Sequence, residues 1–561
     1  MKKIAGFIIC GIATLIFLTP LSEIRSQQFT SSNLPIVVIN TNGQIIPDDY
    51  KITADMGIIY NGPGVRNNLT DPFNHYDGKI GIELRGSSSQ MFPKKPYGFE
   101  TRDTSGEDLD VSLLGMPLEA DWILNATYND KTLMRDVMAY DIARATGRYA
   151  SRTRYCELVL NGEYVGIYII MEKLKNDKNR VDIKKMDPED TTGDALTGGY
   201  ILKFDKTDGE DNLWWTSPYP PYPGSPFPIL VQYHIPKPSS IVQQQKDYIR
   251  NHYTNFENIM NSVLFDDPEY GYPKWTDENS LADFFLINEF AKNVDAYRLS
   301  SFFYKDRDSR NPKYVMGPVW DFNIAFGNAN YYSGAPMTWW ELDVLTTDQN
   351  FLTTDQFQVP FWWKKLRNSP RFLSTVKERW NLLKTTAFNK DRIFGVIDSL
   401  TAYLNEARQR NFQKWPVLGQ YVWPNPYVGQ TWEDELNYFK NWINGRFLWM
   451  NNAINQFTDV SEKEPLPVDM IIAETYPNPF NPSANMVVTL PGAGQLKVKL
   501  FSSAGEETGE FYDGYLEEGK HLIRIDLSGQ SFAAGVYFAV ITLNNNNGTV
   551  QRIVSKLMLM K

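Results

Sequence analysis

Asp295 and Asp321 are the two side chains whose spacing points most directly to chemistry. Asp295 lies in Asn293-Val294-Asp295, after a helical run marked by Leu281, Phe284 and Phe285 and before the apolar stretch Ser301-Phe302-Phe303-Tyr304. Turn formers follow, Asp306-Arg307-Asp308-Ser309-Arg310-Asn311-Pro312, and a second apolar stretch, Tyr314-Val315-Met316, runs through Gly317-Pro318 to Val319-Trp320-Asp321. The pattern predicts a β-hairpin with a carboxylate at each outer end, and antiparallel pairing brings such ends together. Two facing carboxylates suit phosphoryl transfer, in which one orients a hydroxyl and accepts its proton while the other holds the Mg²⁺ that neutralises the phosphates. Asp is also among the commonest turn residues, so the hairpin alone favours the plainer reading of a turn Asp and a strand-end Asp.

The elements upstream must bring phosphates to this pair. An alternating strand at 79–84 ends in Arg85-Gly86-Ser87-Ser88-Ser89-Gln90-Met91-Phe92-Pro93-Lys94-Lys95, and a strand pattern resumes at Tyr97. Such a small-residue loop offers backbone N–H groups to phosphate oxygens, with Arg85, Lys94 and Lys95 adding charge; Gly and Ser also simply make hairpin loops. A helix is predicted over 131–146, capped by Asp130 and stopped by Gly147. Lys131 and Arg135 then share one face of its first turn, either aimed at phosphates and metal or forming surface ion pairs. Strands at 154–160 and 164–171 flank Asn161-Gly162-Glu163, a short hairpin signal. Further helices are expected near 241–260, 280–292, 372–383, 392–410 and 432–454, with the repeated Trp residues of 361–455 read as core.

Several of these stretches together resemble one family. NVDAYRLSSFFYKD and GPVWDFNIAFGN, taken with RGSSSQMFPKKPYGFET, SLLGMPLEADWIL, NDKTLMRD and NGEYVGIYIIMEKLK, closely resemble the spore coat protein H (CotH) kinase family over residues 35–455. The resemblance implies an α+β, atypical two-lobed protein-kinase-like domain over 27–457, with an N-lobe at 35–175 and a C-lobe at 176–457. It implies ATP- and Mg²⁺- or Mn²⁺-dependent phosphorylation of Ser or Thr on secreted or surface proteins. Asp295 becomes the catalytic carboxylate and Asp321 with Asn323 the metal ligands, although Ser300 occupies the position where protein kinases put a metal-binding Asn. Arg85, Gly86, Ser87, Ser88, Lys94, Lys95, Lys131 and Arg135 attend the nucleotide, and Glu172 borders the adenine. A non-catalytic surface protein that keeps the scaffold for adhesion or glycan binding is the alternative, and transfer of another part of the nucleotide a third.

Composition frames the compartment. The chain has 561 residues and a formal net charge of −10, which argues against a nucleic-acid partner. Lys2-Lys3, the apolar run 4–18 and a polar exit read as a signal peptide over 1–26, so no membrane-spanning helix is expected in the mature form. Cys10 falls in that segment, which leaves Cys156 as a buried small apolar residue without a disulfide partner. With four His and two Cys in the whole chain, a zinc site of the His/Cys type is not expected. Residues 458–470 read as a linker. Short alternating strands after it predict a small all-β sandwich over 471–561. Its YPNPFNP, GVYF and terminal Lys561 resemble the C-terminal sorting domain of type IX secretion cargo. That resemblance implies the type IX machinery as a partner and a secreted or cell-surface location; the chain is expected to be a monomer.

Overall fold

A computed structural model of the chain describes residues 29–207, 213–457, 471–476, 478–528, 532–545 and 548–560. The expected signal peptide and the expected linker lie outside them.

Seven strands of the N-terminal part close into a barrel: β1 (Ile36–Asn40), β2 (Ile52–Ile59), β3 (Tyr76–Leu84), β4 (Tyr97–Arg102), β5 (Asp121–Asn125), β6 (Thr153–Leu160) and β7 (Glu163–Glu172). Their order is β1-β2-β3-β4-β5-β7-β6. The seam is a parallel pair, with Ile36 of β1 opposite Glu157 of β6, and all other neighbours are antiparallel. Closure removes every sheet edge. The strands at 36–40 and 52–59 are staves of this barrel. Alternation fills its interior with Val37, Ile39, Met56, Ile82, Phe99, Trp122, Leu158 and Ile170. Cys156 is buried among them, and burial pushes its thiol well above the ordinary range. Asn161 (φ 52°) and Gly162 (φ 81°) make the β6–β7 turn, the left-handed pair that a two-residue hairpin needs.

Helix α1 (Arg135–Ala145) starts later than its sequence pattern suggests. Residues 131–134 form a buried turn instead, because Asp130 caps it twice: its carboxylate accepts from the Thr132 N–H (3.1 Å) and the Arg135 N–H (2.8 Å).

A second sheet contains β8 (Tyr200–Phe204), β9 (Trp214–Thr216), β10 (Leu230–Ile235), β11 (Ser301–Lys305) and β12 (Tyr314–Met316) in the order β9-β10-β8-β11-β12. The Pro- and Tyr-rich segment around 214–228 contributes only the short edge strand β9, where missing N–H groups cost least. Between β10 and β11 run α2 (Gln243–Asn261) and α3 (Glu278–Ala291). Every residue of α3 from Ser280 to Ala291 is buried, and each large apolar side chain so enclosed contributes ~1.5–3 kcal/mol. Asp277 caps its N-terminus, accepting from Ser280 N–H at 2.9 Å, and Lys292 ends it in a left-handed conformation.

Helices α4 (Phe361–Arg367), α5 (Pro370–Leu383), α6 (Lys390–Leu404), α7 (Ala407–Lys414) and α8 (Trp432–Asn455) complete this half. The helix expected over 392–410 is in fact two. Trp362, Trp363, Trp380 and Trp442 are fully buried between helices, as expected, while Trp449 is half-buried.

The C-terminal residues form two antiparallel sheets. One holds β13 (Ile472–Tyr476), β14 (Ser483–Leu490) and β17 (Gly519–Asp526); the other holds β15 (Gly494–Ser502), β16 (Glu507–Leu516), β18 (Gly535–Asn545) and β19 (Val550–Leu559). Their inward residues share one apolar cluster that includes Met486, Val498, Ile525 and Ile541. No helix among the described residues is long and apolar enough to cross a membrane.

Candidate active site

The β11–β12 hairpin forms as expected, with Phe303 opposite Met316, but β12 stops at Met316. The Gly317 N–H still bonds to Phe302 carbonyl oxygen (2.8 Å), after which the chain leaves the ladder. Asp321 is left-handed (φ 62°), a conformation sparsely populated by residues other than glycine, and helix α1 holds it there. The Asp321 N–H donates to Tyr140 Oη (3.1 Å), and the next N–H, of Phe322, donates to Asp136 Oδ1 (2.7 Å). Asp136 also accepts from Asn125 Nδ2 (2.9 Å) at the end of β5, so barrel, helix and hairpin meet at this point.

Asp295 follows α3 in a turn in which its N–H bonds to Asn293 Oδ1 (3.1 Å). Arg298 bridges its carboxylate (3.0 Å) to that of Asp355 (3.1 Å) and stacks over Tyr332 and Phe351. Burial is the largest cause raising Asp295 above the ordinary carboxylate range, with Arg298 opposing it. Asp321 reaches solvent, yet protein surrounds it closely enough that lost hydration is the main cause pushing it up to about 6. The nearby Asp295 charge is the next cause and Arg85 opposes it. The two carboxylates therefore share one electrostatic site.

A third carboxylate, Asp205, joins them. It follows β8, whose last residue pairs with Ser301, and its Oδ1 accepts from the Ser300 N–H (3.3 Å). Its charge acts on both Asp295 and Asp321. Asp205 thus stands beside Ser300, brought there by the neighbouring strand. Asp205 was legible as another Asp closing an apolar strand, in Tyr200-Ile201-Leu202-Lys203-Phe204-Asp205, but nothing local ties that strand to the hairpin. Lys206 beside it, and Asp136 and Tyr140 on α1, likewise carry no local sequence signal that ties them to the hairpin.

Positive charge reaches the cluster from two sides. Arg85, at the end of β3, lies over the Trp320 ring (5.4 Å), and Asp321 is its strongest electrostatic partner. Lys206 Nζ donates to Ser88 Oγ (2.5 Å), which ties the Gly86-Ser87-Ser88 loop to the strand that carries Asp205. Gly86 is left-handed (φ 86°), and a Cβ there would collide with Ser89 Oγ. Ser87 precedes a single 3₁₀ turn, Ser88–Met91.

Five other expected site residues are engaged elsewhere. Lys94 is buried, donating to the Ile167 carbonyl oxygen (2.5 Å) and Asn411 Oδ1 (3.0 Å), which binds the barrel to α7. Lys95 closes its own loop on the Gln90 carbonyl oxygen (2.5 Å). Lys131, in the buried turn, donates to Gln420 O (2.5 Å) near Glu435 (3.8 Å). Arg135 is fully buried against Asp130 (2.6 Å) and the Phe439 ring. Glu172 is fully buried and held by Arg152 (2.8 Å), Arg180 (3.4 Å) and the Tyr149 hydroxyl (3.2 Å). Each is hydrogen-bonded to other parts of the protein in this structure.

Asn323 donates through Nδ2 to Asn129 Oδ1 (3.2 Å) and so stands beside Asp321 with its amide partly engaged. Among the described residues, no three His, Cys, Asp or Glu side chains are grouped to hold a metal by themselves. The donor set is two exposed or half-exposed carboxylates, Asp321 and Asp205, whose mutual repulsion a cation would relieve. That fits Mg²⁺, which is usually held by one or two carboxylates together with substrate phosphates and water.

The profile of the CotH kinase protein family matches residues 82–450, more than half of the chain and the whole of the site described above. The chain belongs to the CotH kinase family and is a kinase-like protein. A search of curated proteins returns no match. Among solved structures, one similar chain is the Pseudomonas fluorescens alkylpurine DNA glycosylase AlkC bound to DNA containing an abasic site analog. It is 12% identical, covers 39% of this chain and 64% of its own, just under two thirds, and has a TM-score of 0.12, too low to bear on the fold.

Proposed function

We propose that the protein is an exported, ATP-dependent phosphotransferase that moves the γ-phosphate to Ser or Thr of secreted or surface proteins. In this reading the barrel with α1 is the first lobe of an atypical kinase and the part that follows is the second. The convergence of Asp295, Asp321 and Asp205 opposite Arg85 and Lys206 carries the reading, because it pairs a cation-binding acidic group with cations suited to phosphate.

Asp321, with Asp205 beside it, would hold Mg²⁺ or Mn²⁺, which supplies neutralisation of phosphate charge. Asp295 orients the acceptor hydroxyl and takes its proton on the carboxylate; its raised proton affinity suits that task at neutral pH. Arg298 keeps Asp295 from rotating. Arg85 and Lys206 offer charge to phosphate oxygens from the barrel side and from β8. The signal-like 1–26 and the type IX-like 471–561, the latter read as a β-sandwich sorting domain, support export through the outer membrane to the cell surface.

The test is transfer from γ-labelled ATP to a general Ser/Thr protein acceptor by the full chain, with Mg²⁺ or Mn²⁺ and with chelator. The expected product gains about 80 Da, the mass of one phosphate in standard covalent chemistry. Gain of a nucleotide instead would redirect the reading to nucleotidyl transfer. No modification with either ion would favour the non-catalytic surface-binding role.

A further inference from the structure

A groove of about 640 Å³, open mouth included, lies beside the site. Its apolar walls are Phe204, Phe227, Ile229 and Phe357, and it includes Asp205 and Arg298. Arg298 is the residue that holds Asp295, so the groove and the hydroxyl-orienting carboxylate share a wall. Phe204 and Ile229 are buried, whereas Phe227 and Phe357 are half-buried. Gln358, 4% exposed, also lines it. Its Nε2 donates to Asp355 O (2.6 Å) and Phe351 O (3.2 Å), while its Oε1 has no hydrogen-bond partner. A buried acceptor left in this state is met when an occupant brings an N–H or O–H donor.

No barrel residue lines the groove. A nucleotide held by Arg85 and the Ser88 loop would lie between barrel and second sheet, whereas the residues that wall this groove all follow the barrel. Resting on the phosphotransferase reading, we infer that the groove is an acceptor subsite. It takes one large apolar side chain bearing a hydrogen-bond donor, a Tyr or Trp, from the residues flanking the Ser or Thr to be modified. The ring packs on Phe227 and Phe357, the half-buried walls, a turn of the Gln358 amide brings Oε1 to its donor, and the hydroxyl residue beside it is thereby delivered to Asp295.

The experiment uses the full chain and a set of otherwise identical Gly/Ala peptides. Each holds one Ser and places Trp, Tyr, Leu, Lys or Ala at each of the three positions on either side. The expected result is one flanking position at which Trp or Tyr lowers KM at least about tenfold relative to Ala, as burial of a large apolar side chain allows, with kcat little changed. Phe357→Arg should abolish that advantage while the thermal transition stays at the parent's value, which a general loss of folding would not do. Equal KM across the set, a preference for Lys, or an aromatic preference that survives Phe357→Arg overturns the inference while phosphotransfer stands. If the parent turns over no ATP, the functional reading fails. Fluorescence polarisation of labelled Trp peptide on parent and Phe357→Arg then decides the groove alone: binding lost in the variant supports it. Equal binding, no binding, or displacement by an ATP analogue overturns it.

Discussion

Two clusters of charge lie at the two ends of one short stretch of chain, and they are built on opposite rules. At the last turn of α3, Glu289 accepts from the N–H groups of Glu341 (2.7 Å) and Leu342 (2.9 Å), from Tyr297 Oη (3.0 Å) and from Arg446 (3.2 Å). Arg446 also donates to the carbonyl oxygens of Glu289 (2.8 Å), Met337 (3.0 Å) and Trp339 (2.7 Å), and Lys292 to those of Pro336 (3.0 Å) and Thr338 (2.8 Å). Glu289, Arg446 and Lys292 are fully buried. Six residues past Glu289 the cluster around Asp295 does the reverse: three carboxylates act on one another electrostatically, reach solvent in part, and have Arg85, Lys206 and Arg298 as their cations. In the sealed network Glu289, Arg446 and Lys292 are met by backbone and each other, and this fixes geometry, while the buried Glu341 carboxylate beside them keeps no hydrogen bond. An open one with acids in mutual repulsion stores an affinity for an incoming cation. The sealed network anchors the start of the loop from which Asp295 projects, so the first makes the second possible.

Substitutions that separate the two roles sharpen this contrast. Asp321→Asn should lower phosphate transfer by about 10³-fold or more, the scale of losing a charge-stabilising group in a transfer site. Its thermal transition should stay level or rise, because a like charge is removed; a large fall in stability would make Asp321 a fastener instead. Arg446→Met should do the opposite. Leaving Glu289 buried and unpaired costs about 3–5 kcal/mol, read as a lower urea midpoint, and Glu289→Gln in the same chain should recover part of it. Arg298→Lys is smaller. It loses the fork joining Asp295 to Asp355, and kcat should drop about 10- to 100-fold through misorientation, with the urea midpoint nearly unchanged.

The contrast also explains what could be read before the structure. The hairpin, α3 and α8 are local: their apolar periodicity is written in neighbouring residues, and Asp295 and Asp321 bracket the hairpin in the sequence, although the family resemblance is what raises them above turn residues. Asp205 closes its strand in the same manner, but its partner Ser301 lies far along the chain, so only the β8–β11 pairing brings it in. Lys94, Lys131, Arg135 and Glu172 show the other limit. Sequence supplies their charge and their place in a loop, turn or strand, but barrel closure and the Asp130 turn decide which way each points. A cation beside a Gly/Ser loop reads as a phosphate ligand until Asn411, from a distant helix, is seen to claim it.

Lys94 gives the smallest and most diagnostic effect. It is buried between Ile167, Asn411 and the Tyr168 ring, and lost hydration pushes it down to about 7, with Cys156 and Glu157 acting weakly in the other direction. In the unfolded chain its value is near 10.5. Below about 7 both states hold the proton and the cost of burying a charge is fully present. Between there and about 10.5 the unfolded chain binds a proton that the folded one does not, so this residue makes stability rise with pH; above that range its cost is gone. Lys94→Met should flatten the rise, visible as a smaller gain in urea midpoint between pH 7 and pH 9 than the parent shows, and should leave KM for ATP unchanged. An increase in that KM would return Lys94 to the nucleotide and erase the line drawn between the sealed and the open clusters.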